Sequence, residues 1–203
     1  MHRLSIILLL NIFILLNINI IAVAQADTHL ETEKKVITEI DDTTNKEYTT
    51  KKVTPDSIIK KYIENAELIG VTRMNYLFMH IYDIELHAKD KFSWENKLAL
   101  KLTYKRLLYG KKIAKSSADE IEKLGFNDEE KLADWQAQME KIFPDVEDGD
   151  VLIGIYEPGG ASIFYDHEKQ LGIVKDPEFG KWFFGIWLNE KTSRPKLREK
   201  LIN

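Results

Sequence analysis

What most constrains this chain's fold is the order in which two hydrophobic periods follow one another beyond residue 66. Residues 66–71 and 76–86 are strand-like. In the second stretch Tyr76, Phe78, His80, Tyr82, Ile84 and Leu86 share one parity, opposite Leu77, Met79 and Ile81 and then Asp83, Glu85 and His87. That pattern predicts a strand that begins buried on both faces and ends with one face wet. A third strand over 98–104 places Leu98, Leu100, Leu102 and Tyr104 together. The period then lengthens. Residues 110–124 align Ile113, Ser117, Ile121 and Leu124 before the stop at Gly125, and 128–142 align Leu132, Trp135, Met139 and Ile142 before Pro144. Strands return at 150–156, 161–165 and 170–174, joined by Glu157-Pro158-Gly159-Gly160 and by a turn over 166–169. Helices over 178–188 and from Ser193-Arg194-Pro195 to Ile202 close the chain. Runs of strands alternating with runs of helices imply an α+β fold, a mostly antiparallel sheet with helices on one face.

The segment before residue 66 has another character. One basic residue, Arg3, precedes an apolar run over 4–24, and Ala24-Gln25-Ala26 supplies a small-x-small cleavage pattern. Residues 1–26 are therefore expected to be a signal peptide. The remaining 177 residues suit one domain, periplasmic or secreted, with no stable membrane span after cleavage. Residues 27–57 form a polar leader or an edge hairpin with strands at 36–40 and 47–53, and the domain proper runs over 58–203, entered by a short turn of helix over 57–65. Cleavage leaves 28 basic against 33 acidic residues, a net of −5, which argues against nucleic acid as a partner. With no cysteine, the chain has neither disulfides nor thiolate chemistry.

Several stretches, in this order and spacing, carry a resemblance. They are Gly70-Val71-Thr72-Arg73, residues 78–86, residues 100–104 before Gly110, residues 142–150, Tyr156-Glu157-Pro158-Gly159-Gly160, Asp176-Pro177-Glu178-Phe179 and residues 184–188. Together they resemble the chalcone isomerase-like family, especially its short exported bacterial branch, over about residues 60–203. The resemblance implies an open-faced β-sandwich, with a large sheet, a helical layer over one face and a ligand cleft between. Some members of that family are isomerases that close a chalcone to a flavanone; others bind fatty acids without chemistry.

The resemblance also picks out ligand-binding candidates. Arg73 is expected to reach the cleft and hold an anionic oxygen, which a planar guanidinium does bidentately. Tyr109, just before the first long helix, matches a tyrosine whose hydroxyl binds a ligand oxygen, and Ser116 matches an asparagine of the plant enzymes. Thr192 and Ser193 match a Ser/Thr region beside the substrate, although a helix N-cap ahead of Arg194-Pro195 accounts for Ser193 by itself. Met79 stands where the isomerases carry a threonine hydroxyl, and a thioether suits a greasy tunnel rather than a hydrogen-bond network.

Other chemistry has little support. His80 and His87, seven apart in a strand, are expected on opposite faces; no metal-ligand spacing, nucleophile elbow or phosphate loop occurs, and no cofactor is implied. Asp83 and Glu85 lie at the wet end of their strand and are expected to be solvated. The aromatic segment 178–188 reads as a core helix on the sheet, with Gly180 and Gly185 allowing close approach and a tunnel wall as the sharper reading. The leading expectation is a non-catalytic binding protein for an amphipathic, fatty acid-like molecule. The alternatives are an isomerase or lyase acting on an enone-like substrate, and a scaffold whose cleft is filled.

Overall fold

Thr54 Oγ1 accepts from Ser57 N–H at 3.2 Å, and Ser57 Oγ accepts from Thr54 N–H at 2.9 Å. With Pro55 in the first turn, this reciprocal cap starts helix α1 (Pro55–Tyr62). The computed structural model describes residues 53–203, so the expected signal and all but Val53 of the leader's expected hairpin lie outside the described residues. After α1 come β1 (Glu67–Tyr76), β2 (Met79–Ala88), β3 (Leu98–Tyr104), α2 (Gly110–Lys123) and α3 (Glu129–Ile142). Then follow β4 (Val151–Tyr156), β5 (Ser162–Tyr165), β6 (Gln170–Val174), α4 (Phe179–Leu188) and α5 (Pro195–Ile202). The domain boundary expected at 57/58 falls inside α1.

The six strands form one sheet in chain order, every neighbouring pair antiparallel. Ile84, Leu86, Leu100, Leu102, Tyr104, Leu152, Tyr156 and Phe164 line one face, packed against Ala114, Ala118, Trp135, Met139, Phe179, Phe183, Phe184 and Leu201 of α2–α5. Eight of the ten residues of α4 are buried, as a helix apolar on nearly every side must be. Phe183 is ringed by Phe143, Phe164, Phe179, Phe184 and Trp187 at centroid distances of 5.2–5.9 Å. On the opposite face Ile58, Ile59 and Ile63 cover Ala99, Ile153, Ile155 and Ile163. Four helices thus form the expected layer, and α1 adds a small second core behind the centre of the sheet.

Two features of the first hairpin depart from the sequence pattern. Residues 76–86 are not one strand: Tyr76 pairs with Met79, and Leu77-Phe78 is the turn. Leu77 has φ +53° and is 75% exposed, and Phe78 is wholly exposed, so the strand does not begin buried. Glycine is the usual residue at a positive-φ hairpin position; leucine there costs about 1–2 kcal/mol. Second, Met74 pairs with Tyr82 but Asn75 with His80, which leaves Ile81 as the extra residue of a bulge. The bulge reverses the parity before it. His80 Nε2 lies 2.9 Å from Asp83 Oδ1 and His87 Nε2 3.0 Å from Glu85 Oε2, so both histidines serve the same face. That corrects the expectation of opposite faces.

Candidate functional site

The residues singled out from sequence do not converge. Arg73 pairs across the strands with Asp83, on the sheet face turned away from α2–α5. Its guanidinium Nε lies 3.5 Å from Asp83 Oδ1 and its side chain is 61% exposed. Lys105 and His80 share that carboxylate, and Lys101 and His87 share Glu85 two residues on. Around Arg73 the lattice is solvated and its pair is worth little, whereas Glu85, Lys101 and His87 are largely covered, contrary to the expectation for Glu85. Arg73 is therefore not in the sheet–helix layer where a ligand oxygen was expected, because strand parity carries Met74, not Arg73, towards the core. Tyr109 is half exposed at the head of α2, with Lys112 Nζ 5.5 Å from its ring centre. Ser116 lies partly exposed on α2. Ser193 does not cap α5, whose N-cap is Arg194; its hydroxyl donates to Glu120 Oε2 of α2 at 2.6 Å.

Met79 is the exception. The bulge turns its sulfur to the other side of β2, where Arg106 Nη1 approaches Sδ to 2.6 Å. Arg106 follows β3, and alternation sends Lys105 to the Asp83 face and Arg106 away from it. The Arg106 Nε is buried without a hydrogen-bond partner, and among the described residues no carboxylate pairs with the guanidinium. A thioether is a weak acceptor. A buried donor on a permanent cation with no acceptor is costly, and guanidinium groups in such places ordinarily hold an anion.

Beyond Arg106 on the helix side, Tyr104 and Tyr82 pair across β3 and β2 with ring centroids 5.7 Å apart. Trp187 Nε1 of α4 donates to the Tyr82 hydroxyl at 2.9 Å, leaving the tyrosine proton to be donated elsewhere. Burial pushes Tyr82 up to about 12, with the Trp187 bond and Arg194 opposing it. Tyr104 is 2% exposed, and burial holds its hydroxyl well above the ordinary tyrosine range. Both phenols are therefore neutral donors at any physiological pH. At the far side Glu120 would be raised by burial, but Lys123, Ser193 and Arg194 outweigh that and hold it below the usual carboxylate range. Tyr104 and Tyr82 thus pair on the helix-facing side of the sheet, and alternation sends Arg106, two residues after Tyr104, to that same side. Sequence inspection passed over all three, although residues 98–118 carry six cations and no acid, an imbalance that leaves a cation to spare.

The layer itself is filled with rings. Two depressions of the described surface lie elsewhere: one along β1 lined by Val71, Thr72, Arg73, Asn75, Asp83 and Lys200, another after α2 beside Phe126 and Leu132. No group of three or more potential metal ligands occurs among the described residues.

Comparison with known proteins bears on this geometry. The model of a family described as chalcone isomerase-like matches residues 67–203. An uncharacterized protein of Haemophilus influenzae is 31% identical over 136 residues, which span 66% of each chain. The crystal structure of an Arabidopsis thaliana fatty-acid binding protein superposes with a TM-score of 0.54 at 12% identity, over 68% of this chain and 87% of that one. At that identity the likeness is one of fold: the open-faced α+β sandwich.

Proposed function

This chain belongs to the chalcone isomerase-like family, and from that premise we propose that it is a non-catalytic binding protein for an amphipathic small molecule, an anionic head on an apolar tail, with a fatty acid as the model ligand. The observation that carries this reading is the Arg106 guanidinium, buried at Nε and without a counter-ion among the described residues. An anionic head on Arg106 would supply the missing acceptor, and Tyr104 has a hydroxyl proton to give. The fatty-acid binding protein of the same fold supports the choice of probe. The tail would displace Met79 and enter beneath the rings of α4.

Isothermal titration with a long-chain fatty acid and the matching alcohol tests the assignment. A charge-assisted hydrogen bond contributes roughly 1.5–3 kcal/mol. Arg106→Ala should therefore weaken the acid about ten- to a hundredfold and leave the alcohol nearly unchanged, whereas Arg73→Ala should alter neither. Equal loss for acid and alcohol in Arg106→Ala would make that residue structural. The ring-filled layer favours a second reading, a scaffold with a closed cleft; binding of neither ligand to the parent would select it. The isomerase reading is third, because Met79 gives a thioether in place of a hydroxyl.

The location belongs to the same proposal. Export through the N-terminal signal would release a chain beginning at Asp27, and intact mass of the protein from the producing cells checks it; a chain retaining Met1 or His2 in the membrane sinks it.

A further inference from the structure

The β1–β2 turn is the most exposed apolar point among the described residues. Phe78 is entirely exposed and Leu77 three-quarters so. The two lie beside Met79, which Arg106 touches, and Lys105 N–H donates to Ile81 O at 2.9 Å. The loop after β3 therefore sits against the hairpin, and it presents Leu107 and Tyr109, each at least half exposed. Four large apolar side chains flank one contact. Loose apolar residues on a surface need no explanation, but a clustered set does. The backbone adds to this. Leu77 holds a positive φ where glycine would be unstrained, and such strain concentrates at functional positions.

Charge identifies the occupant. The chain is net acidic, yet residues 68–82 contain no acid and residues 98–118 contain six cations and no acid. Lys101, Lys105 and Lys115 are engaged by Glu85, Asp83 and Asp119, while Arg106, Lys111 and Lys112 have no ion pair among the described residues. The segment hydrogen-bonded to this loop carries Asp145, which accepts from Gly110 N–H, and Asp150, which accepts from Glu147 N–H, with Glu147 and Asp148 between them. Exposed leucine and aromatic side chains ringed by spare cations match an anionic lipid surface, where the apolar tips enter the acyl boundary and the cations meet the headgroups. No described helix is long and apolar enough to span a membrane. We propose that the Leu77-Phe78 hairpin tip, with Leu107, Tyr109 and the cations Lys111 and Lys112, docks this protein on anionic membrane surfaces. The docking stands apart from ligand binding; only its purpose, bringing Arg106 to a source of acyl chains, rests on the function proposed above.

The absence of cysteine allows a local test. Phe78→Cys, carrying one environment-sensitive fluorophore, is mixed with vesicles of phosphatidylcholine with or without 30%, an arbitrary composition of about one lipid in three, phosphatidylglycerol. Lys91→Cys, in the connection at the other end of the strands, is the control. The label at 78 should shift to the blue with anionic vesicles only, lose the shift in high salt, and the label at 91 should not move. Lys111→Glu with Lys112→Glu should weaken association at least tenfold, since each cation near such a surface contributes about fivefold. Leu77→Gly with Phe78→Ser keeps a favoured hairpin turn and should abolish the interaction, as read by co-sedimentation, while leaving fatty-acid titration unchanged. A folded parent whose label at 78 stays unshifted with anionic vesicles overturns the proposal. So does a shift without lipid that grows with protein concentration, which would assign the tip to a second copy. An equal shift on neutral vesicles removes the role given to the cations.

Discussion

Replacing Gly110 by alanine should destabilise the protein by about 3 kcal/mol, although alanine is the better helix former by about 1 kcal/mol. A Cβ at this position would lie 2.1 Å from Phe143 O and 2.8 Å from Pro144 O. Both are backbone atoms, so no rotamer change relieves the overlap. The head of α2 is also fixed there. Gly110 N–H donates to Asp145 Oδ1 at 2.8 Å, and Leu108 and Val146 exchange backbone hydrogen bonds at 2.8 and 2.9 Å. Moving α2 away would break those contacts and open the packing of Ala114 and Ala118, which are buried. Urea denaturation of Gly110→Ala should show a large fall in midpoint; an unchanged or higher midpoint would show that propensity outweighs the clash.

Trp135→Ala should cost about 3–5 kcal/mol, the range for removing a buried large aromatic side chain. The indole is fully buried, stacked on Phe126 at 4.6 Å and edge-on to Phe179 at 5.5 Å. Its Nε1 donates to Asp176 Oδ2 at 3.0 Å. Trp135→Phe keeps most of the ring contacts and isolates that hydrogen bond, so it should cost less, about 1.5–3 kcal/mol. A pH series tells the two losses apart. Burial raises Asp176, but the Glu178 N–H, the indole and Lys131 outweigh it and leave the carboxyl below its ordinary 3.8. A depressed carboxylate contributes stability above its unfolded pKa and loses it as pH falls through the folded value. The gap between parent and Trp135→Phe should accordingly be full at pH 7 and narrow below about pH 4, as Asp176 protonates. A gap independent of pH would mean that the phenylalanine variant loses packing alone.

The strands, helices and most turns were legible because each is a local matter. Gly125, at φ +105°, ends α2, Gly159, at φ +62°, turns β4 into β5, and Asp128 caps α3 by accepting from Lys131 N–H. The aromatic run of α4 is buried as its all-round apolarity requires, and a Cβ on Gly180 would come within 2.8 Å of Tyr156 and Ser162. The candidate site was far less legible. Arg73 and Arg106 look alike as letters on strand-like segments, and only their surroundings separate them. One has Asp83 at 3.5 Å and solvent over most of its side chain; the other has a thioether and a buried, unanswered donor. Ser193 likewise stands where a cap is expected, yet its hydroxyl is taken by Glu120, 73 residues earlier in the chain.

By itself the sequence determined the α+β order, the helix ends, the turns and the division between apolar and charged positions. All of these depend on propensities and periods that act over a few residues. The tertiary structure alone decided which side of the sheet each polar group faces. A strand repeats every two residues, so the single extra residue at Ile81 moves His80 to the Asp83 face and turns Met79 to Arg106. It decided as well that α1 closes the far side of the sheet and that Leu77-Phe78 is a bare tip rather than a buried start of strand. Period two reads the same in an apolar turn and in an apolar strand; the difference lies in what packs against it, and that depends on residues distant in the chain.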